Sequence, residues 1–202
     1  MKLALRTVGA LLMAVGFTGV TFAGALGVAH AGPQAGSAAG QAAGQAAGQA
    51  KLVDDMLKDW QSQKKTMMDI ADAMPENKFS YKSTSAQRNY AEQIMHVAQV
   101  NVGLLKAIGG KAAAPTFTAQ SAKTKAELLK ALGDSYDYGI ALIKEQSEAT
   151  MIATVKGPPF LGACTRARIF WTLLLHSMDI YGQMAVYLRL NGIVPPLSRN
   201  SL

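Results

Sequence analysis

A chain of 202 residues, half of them apolar and with a formal charge of +7, has enough length for one packed domain once any leader is removed. Its basic residues are interleaved with acids, as in Lys51–Lys65 against Asp54, Asp55 and Asp59, which argues against the one-sided cationic face that nucleic acid requires. The single cysteine, Cys164, excludes an intrachain disulfide framework and reads as a structural thiol.

Residues 1–31 have the layout of an export signal. Lys2 and Arg6 precede an apolar run from Val8 to Val28, and Ala29-His30-Ala31 offers a small-x-small cleavage pattern. Cleavage there removes His30 and lowers the charge from +7 to +5. The run approaches the ~20 residues that span a bilayer, but its glycines and cleavage pattern favour removal. The expectation is an exported protein, periplasmic or extracellular, with no stable membrane anchor after cleavage.

Residues 32–50 repeat Ala-Ala-Gly-Gln without a charge or a large apolar side chain. Such a segment buries too little to offset its ordering entropy and reads as a flexible linker. The folded part is expected over residues 51–197, with 198–202 as a tail.

The first helix is marked by Leu52, Val53, Met56, Leu57, Trp60, Met67, Ile70, Ala71 and Met74 at spacings of three and four, and Pro75 ends it. A second is expected from Thr84, where Thr84 and Gln87 have capping-box spacing. It carries two stripes, one through Ile94, Ala98 and Leu105 and one through His96, Val100 and Ala107, and Gly109-Gly110 stops it. Thr124 and Glu127 form a further capping box, followed by Leu129, Leu132, Tyr136, Ile140 and Ile143. That helix should fade near Glu148. The stretch 149–164 has no assignment beyond a continuation of the third helix into part of it. A fourth helix opens near Thr165, presents Ile169, Leu173, His176, Ile180, Met184 and Tyr187 on one face, and ends at Asn191-Gly192 before Pro195-Pro196. No segment alternates long enough for a strand. The fold class is therefore all-α, a four-helix bundle.

Two histidines remain after cleavage, His96 and His176, on different helices and on apolar stripes. Bundles build metal sites from such facing residues. Asp179, one turn after His176, is the candidate third donor. Two imidazoles and a carboxylate suit zinc or iron. The alternative is a pair of hydrogen-bonded core histidines with a solvated Asp179.

The closing run His176-Ser177-Met178-Asp179-Ile180-Tyr181-Gly182-Gln183, with Tyr187-Leu188-Arg189-Leu190-Asn191-Gly192-Ile193-Val194-Pro195-Pro196, resembles the last helix and tail of the DinB-like superfamily. Phe79-Ser80-Tyr81-Lys82 with Arg88 and His96, and Thr124 to Leu129, are similar to its second and third helices. The resemblance implies an up-down-down-up bundle and a divalent metal, zinc, nickel or iron, on three histidines. Two of those positions match His96 and His176. The third falls on Ile180, which cannot ligate. Members include thiol-dependent S-transferases and a mycothiol-dependent isomerase.

Two functions stay open on this reading. One is an exported binding scaffold with an incomplete metal site. The other is a divalent-metal-dependent enzyme of thiol-transferase or hydrolase type. No nucleic acid is expected as partner, and homodimerisation stays open. Arg189 is expected to cap or pair rather than bind an anion, and Tyr187 to pack in the core with its hydroxyl near the surface.

Overall fold

The structure is a computed structural model that describes residues 37–118 and 124–201, with 37–51 and 200–201 as backbone only. The expected export signal, 1–31, lies outside the described residues. Helix α1 covers Ser37–Ala73, so its backbone extends into the Ala-Ala-Gly-Gln segment. Alanine's helix propensity supports that continuation against the glycines. From Met56 onward the helix buries Met56, Trp60, Met67, Ile70, Ala71 and Met74. These are members of the stripe read from the sequence.

Helix α2 spans Tyr90–Leu105 and starts later than Thr84. Its N-cap is Asn89, whose side chain accepts from the Glu92 N–H at 2.8 Å while the Glu92 carboxylate accepts from the Asn89 N–H at 2.7 Å. Two capping boxes compete in this stretch, and tertiary bonding selects the second. The Tyr90 and Ala91 N–H groups donate back to the carbonyls of Tyr81 and Phe79. Thr84 then forms a turn in which the Gln87 N–H donates to its carbonyl. The far end tightens into a 3-10 turn over Lys106–Ile108 and stops at Gly109, whose φ of 69° favours glycine.

Helix α3, Lys125–Lys144, has the expected Thr124–Glu127 box in both directions. It ends just before the expected fade at Glu148. The next segment does not continue α3. A short helix α4, Glu148–Ile152, leads into a hairpin of β1, Thr154–Lys156, and β2, Ala163–Thr165, with Val155 opposite Cys164. Three-residue strands are too short to leave an alternating pattern in a sequence. Arg166 ties this segment down by donating to the carbonyls of Ile108 and Thr150, both at 3.0 Å. Helix α5, Arg166–Leu190, is capped by Thr165 and closed by Gly192 at φ 73°.

Side-chain contacts fix the directions of the four long helices. The start of α3 meets the end of α1, where Lys125 Nζ bonds the carbonyl of Met74 at 3.2 Å. Further toward the N-terminus of α1, the Val53 N–H donates to Glu148, just past the end of α3, at 3.0 Å. Helices α1 and α3 are thus antiparallel. The Lys111 N–H, just past α2, donates to Glu145 at the end of α3, so α2 and α3 run parallel. Arg166 at the start of α5 reaches Ile108 beyond the end of α2, so those two are antiparallel. The order is up-down-down-up. Helix α1 packs on α3 and α5, and α2 packs on the same two.

Trp60 anchors the centre. Its ring is fully buried against Tyr136 and Phe170, with centroids at 5.3 and 5.5 Å. Its indole N–H donates to the Tyr136 carbonyl at 2.8 Å. Gly139 makes room for it: a Cβ there would lie 2.4 Å from the indole ring. Among the described residues no helix is long and apolar enough to cross a membrane.

Candidate functional site

His96 lies near the middle of α2 and His176 near the middle of α5. Because these helices are antiparallel neighbours, the two rings meet. Their Nε2 atoms are 3.1 Å apart, and their planes cross at 67° with centroids 5.0 Å apart. Each ring is half-buried.

Both imidazoles are held neutral near pH 7. Burial pushes His96 down to about 4, helped by the Arg88 guanidinium and by His176, while the Asp179 charge opposes the shift. Burial also lowers His176, against Asp179 and with Arg88. In both rings desolvation outweighs the nearby carboxylate.

The tautomers follow from what each nitrogen lacks. Nδ1 of His176 is buried without a partner. A buried donor without a partner is rarer than a buried acceptor. That places the His176 proton on Nε2, donating to Nε2 of His96. The His96 proton then sits on Nδ1, which is not among the buried unpartnered atoms.

A chain of amides runs beside the pair. Gln93 on α2 donates to the Gln183 carbonyl oxygen at 2.8 Å, and the Gln183 amide donates to Asp179 at 3.1 Å. Gln93 is buried and its own oxygen has no partner. Asp179 is exposed. It is drawn along its own helix toward Gln183 and makes no bond to either imidazole. Ile180 sits in the core at 2% exposure. The structure therefore brings His96 and His176 together and leaves Asp179 outside. Among the described residues no three His, Cys, Asp or Glu side chains are placed to hold a metal ion.

The other polar residues of the closing motif support the fold. The Tyr187 hydroxyl donates to the Arg88 carbonyl at 2.6 Å, from a ring that is itself buried. Arg189 bonds Ser198 at 3.0 Å, and the Tyr181 hydroxyl accepts from the Leu197 N–H at 3.2 Å. Both hold the C-terminal tail against α5. Cys164 is buried on β2.

Sequence reasoning missed the space beside the pair. A cavity of about 370 Å³ lies along the first half of α2 against the start of α3, lined by Arg88, Glu92, Met95, His96, Gln99 and Leu128 among others. Arg88 and His96 are visible in the sequence. That they border one cavity depends on how α3 docks, which no local pattern encodes.

The family model described as "DinB family" matches residues 47–199. No curated protein matches the sequence. A DinB-like protein from Bacillus subtilis aligns in structure with a TM-score of 0.53 at 13% identity, covering 68% of this chain and 92% of that one. A DinB-like protein from Bacillus cereus aligns with a TM-score of 0.50 at 15% identity, covering 71% of this chain and 95% of that one. At these identities the two likenesses are of fold.

Proposed function

The chain belongs to the DinB family, and from that premise we propose that it is an exported binding scaffold whose metal site is incomplete. The observation that carries this reading is the side-by-side placement of His96 and His176 with Ile180, not a donor, one turn further along α5. Export rests on the sequence of residues 1–31. N-terminal sequencing of the secreted protein should begin at Gly32.

The donors fit part of a metal shell. Two imidazole nitrogens bound to one zinc at ~2.0–2.1 Å in tetrahedral geometry stand about 3.3 Å apart, close to the 3.1 Å between the Nε2 atoms. A third corner is missing, because Asp179 is engaged by Gln183 and Ile180 is aliphatic. A catalytic zinc takes three protein ligands, so two imidazoles support weak, exchangeable binding. When bound, a divalent ion would supply Lewis acidity and lower the pKa of a water or thiol. His96 and His176 would hold it through Nε2. The second reading, a metal-dependent enzyme of thiol-transferase or hydrolase type, is favoured only by that 3.1 Å spacing.

Zinc titration against a competing chelator tests the proposal. Structural four-ligand sites bind with ~10–16 kcal/mol, so each ligand is worth roughly 3 kcal/mol, or about 100-fold. Wild type should bind weakly, His176→Ala should abolish that binding, and Ile180→His should tighten it on the order of 100-fold. Stoichiometric metal that survives chelation in wild type, and is lost in His176→Ala, would overturn the scaffold reading in favour of the enzyme.

A further inference from the structure

We infer that the cavity beside the imidazole pair binds the carboxylate of a small organic acid with an apolar body, held by Arg88 and the Nδ1–H of His96. This rests on the reading of the pair as a binding site and names the class of ligand.

Arg88 is the first observation. Its main chain is fixed, because its carbonyl accepts from the buried Tyr187. Its side chain is exposed and lines the cavity. Among the described residues its guanidinium has no ion pair or hydrogen bond, and its charge disfavours protonation of both imidazoles. A guanidinium is a planar set of donors that matches a carboxylate edge.

His96 is the second observation. Its ring borders the same cavity. Its Nε2 is used by His176, which leaves Nδ1–H as a donor. The relation survives metal binding, since an ion on Nε2 also leaves the proton on Nδ1. Arg88 and His96 therefore border one space, whose remaining lining is polar at Glu92 and Gln99 and apolar at Met95 and Leu128.

The charge balance selects a carboxylate over a phosphate dianion. Glu92 also lines the cavity. Its carboxylate is engaged by the Asn89 N–H and lies 3.8 Å from Lys82 Nζ. Its negative charge still limits the site to a single anionic group. The N-terminus of α2 is not the receptor, because Asn89 and Glu92 already cap it. A space of about 370 Å³ lies within the range of small-molecule pockets.

Calorimetric titration of the chelator-treated protein with 4-phenylbutyrate, and separately with its uncharged amide, tests the inference. The acid should bind roughly tenfold or more tightly than the amide, the factor expected for a hydrogen-bonded charge. Arg88→Gln should reduce the acid to the level of the amide, and Arg88→Lys should keep part of the difference. Equal affinities on wild type, or no binding of the acid, would overturn the inference without recourse to any variant. Unchanged acid binding in a folded Arg88→Gln protein would overturn it equally. Zinc titration of wild type and His176→Ala separates the two readings. If acid and amide bind alike while zinc still depends on His176, the carboxylate site falls and the imidazole site stands. If the acid is preferred while zinc binding ignores His176, the carboxylate site stands and the metal reading falls.

Discussion

Two neighbouring regions of one bundle are built in opposite ways. Around Trp60 helices α1, α3 and α5 close on one another: the indole N–H and the Tyr136 hydroxyl both have partners, on the Tyr136 carbonyl and Ser177. Gly139 gives up its side chain so that the ring fits. Beside His96, helices α2 and α3 leave a cavity of about 370 Å³, and around the imidazole pair Nδ1 of His176 and the Gln93 oxygen are buried without partners. Buried polar atoms without partners also occur next to the closed region, at Gln63 and Asn101, so the cavity and the paired imidazoles are what distinguish the open one. The contrast separates the part of the molecule that specifies the fold from the part that is open to a ligand.

Substitutions at the closed region should have the largest effects. Trp60→Ala removes a fully buried ring at three helices and should lower unfolding stability by ~3–5 kcal/mol, read from denaturant midpoints. Gly139→Ala places a methyl 2.4 Å from that ring and should lower it by ~1–3 kcal/mol through overpacking. If both substitutions were silent, the contrast would disappear.

The open region should respond differently. His176→Ala should change stability by about 1 kcal/mol or less, because its ring is half-buried and one nitrogen is already without a partner. A loss comparable to that of Trp60→Ala would make the imidazole pair a packing element. The smallest effect is on pH dependence. Both histidines have folded pKa values below the ordinary 6.5, so the unfolded chain takes up protons first as pH falls. Their contribution to stability is full above about pH 6.5 and is lost progressively as pH falls through the His96 value of about 4. Denaturation midpoints between about pH 6.5 and 5, above the carboxylate range, should decline in wild type and stay flatter in a His96→Gln, His176→Gln double variant.

Much of the closed region was legible in the sequence, and less of the open one. The stripe through Met56, Trp60, Met67 and Met74 and the Thr124–Glu127 box are periodic or local signals, and both reappear in the structure. The start of α2 misled because Thr84–Gln87 and Asn89–Glu92 both have capping spacing. The bonds from Tyr90 and Ala91 back to Tyr81 and Phe79 decide between them. The hairpin at 154–165 was illegible because Gly157-Pro158-Pro159 reads as a loop and each strand is three residues long. At the site, His96 and His176 stood out by type and spacing. The engagement of Asp179 by Gln183 did not, since an i, i+4 amide competes with any cross-helix role only once both side chains are placed. The Gln93–Gln183 link and the cavity at Arg88 depend on docking between helices far apart in sequence.

Side-chain ¹⁵N spectra of the histidines, followed from about pH 8 to 3.5, test most directly whether two neutral imidazoles share one proton bridge. The expected result is His96 protonated on Nδ1 and His176 on Nε2 at pH 7, with His96 titrating near pH 4. Two rings titrating independently near 6.5, or either one charged at pH 7, would contradict the account.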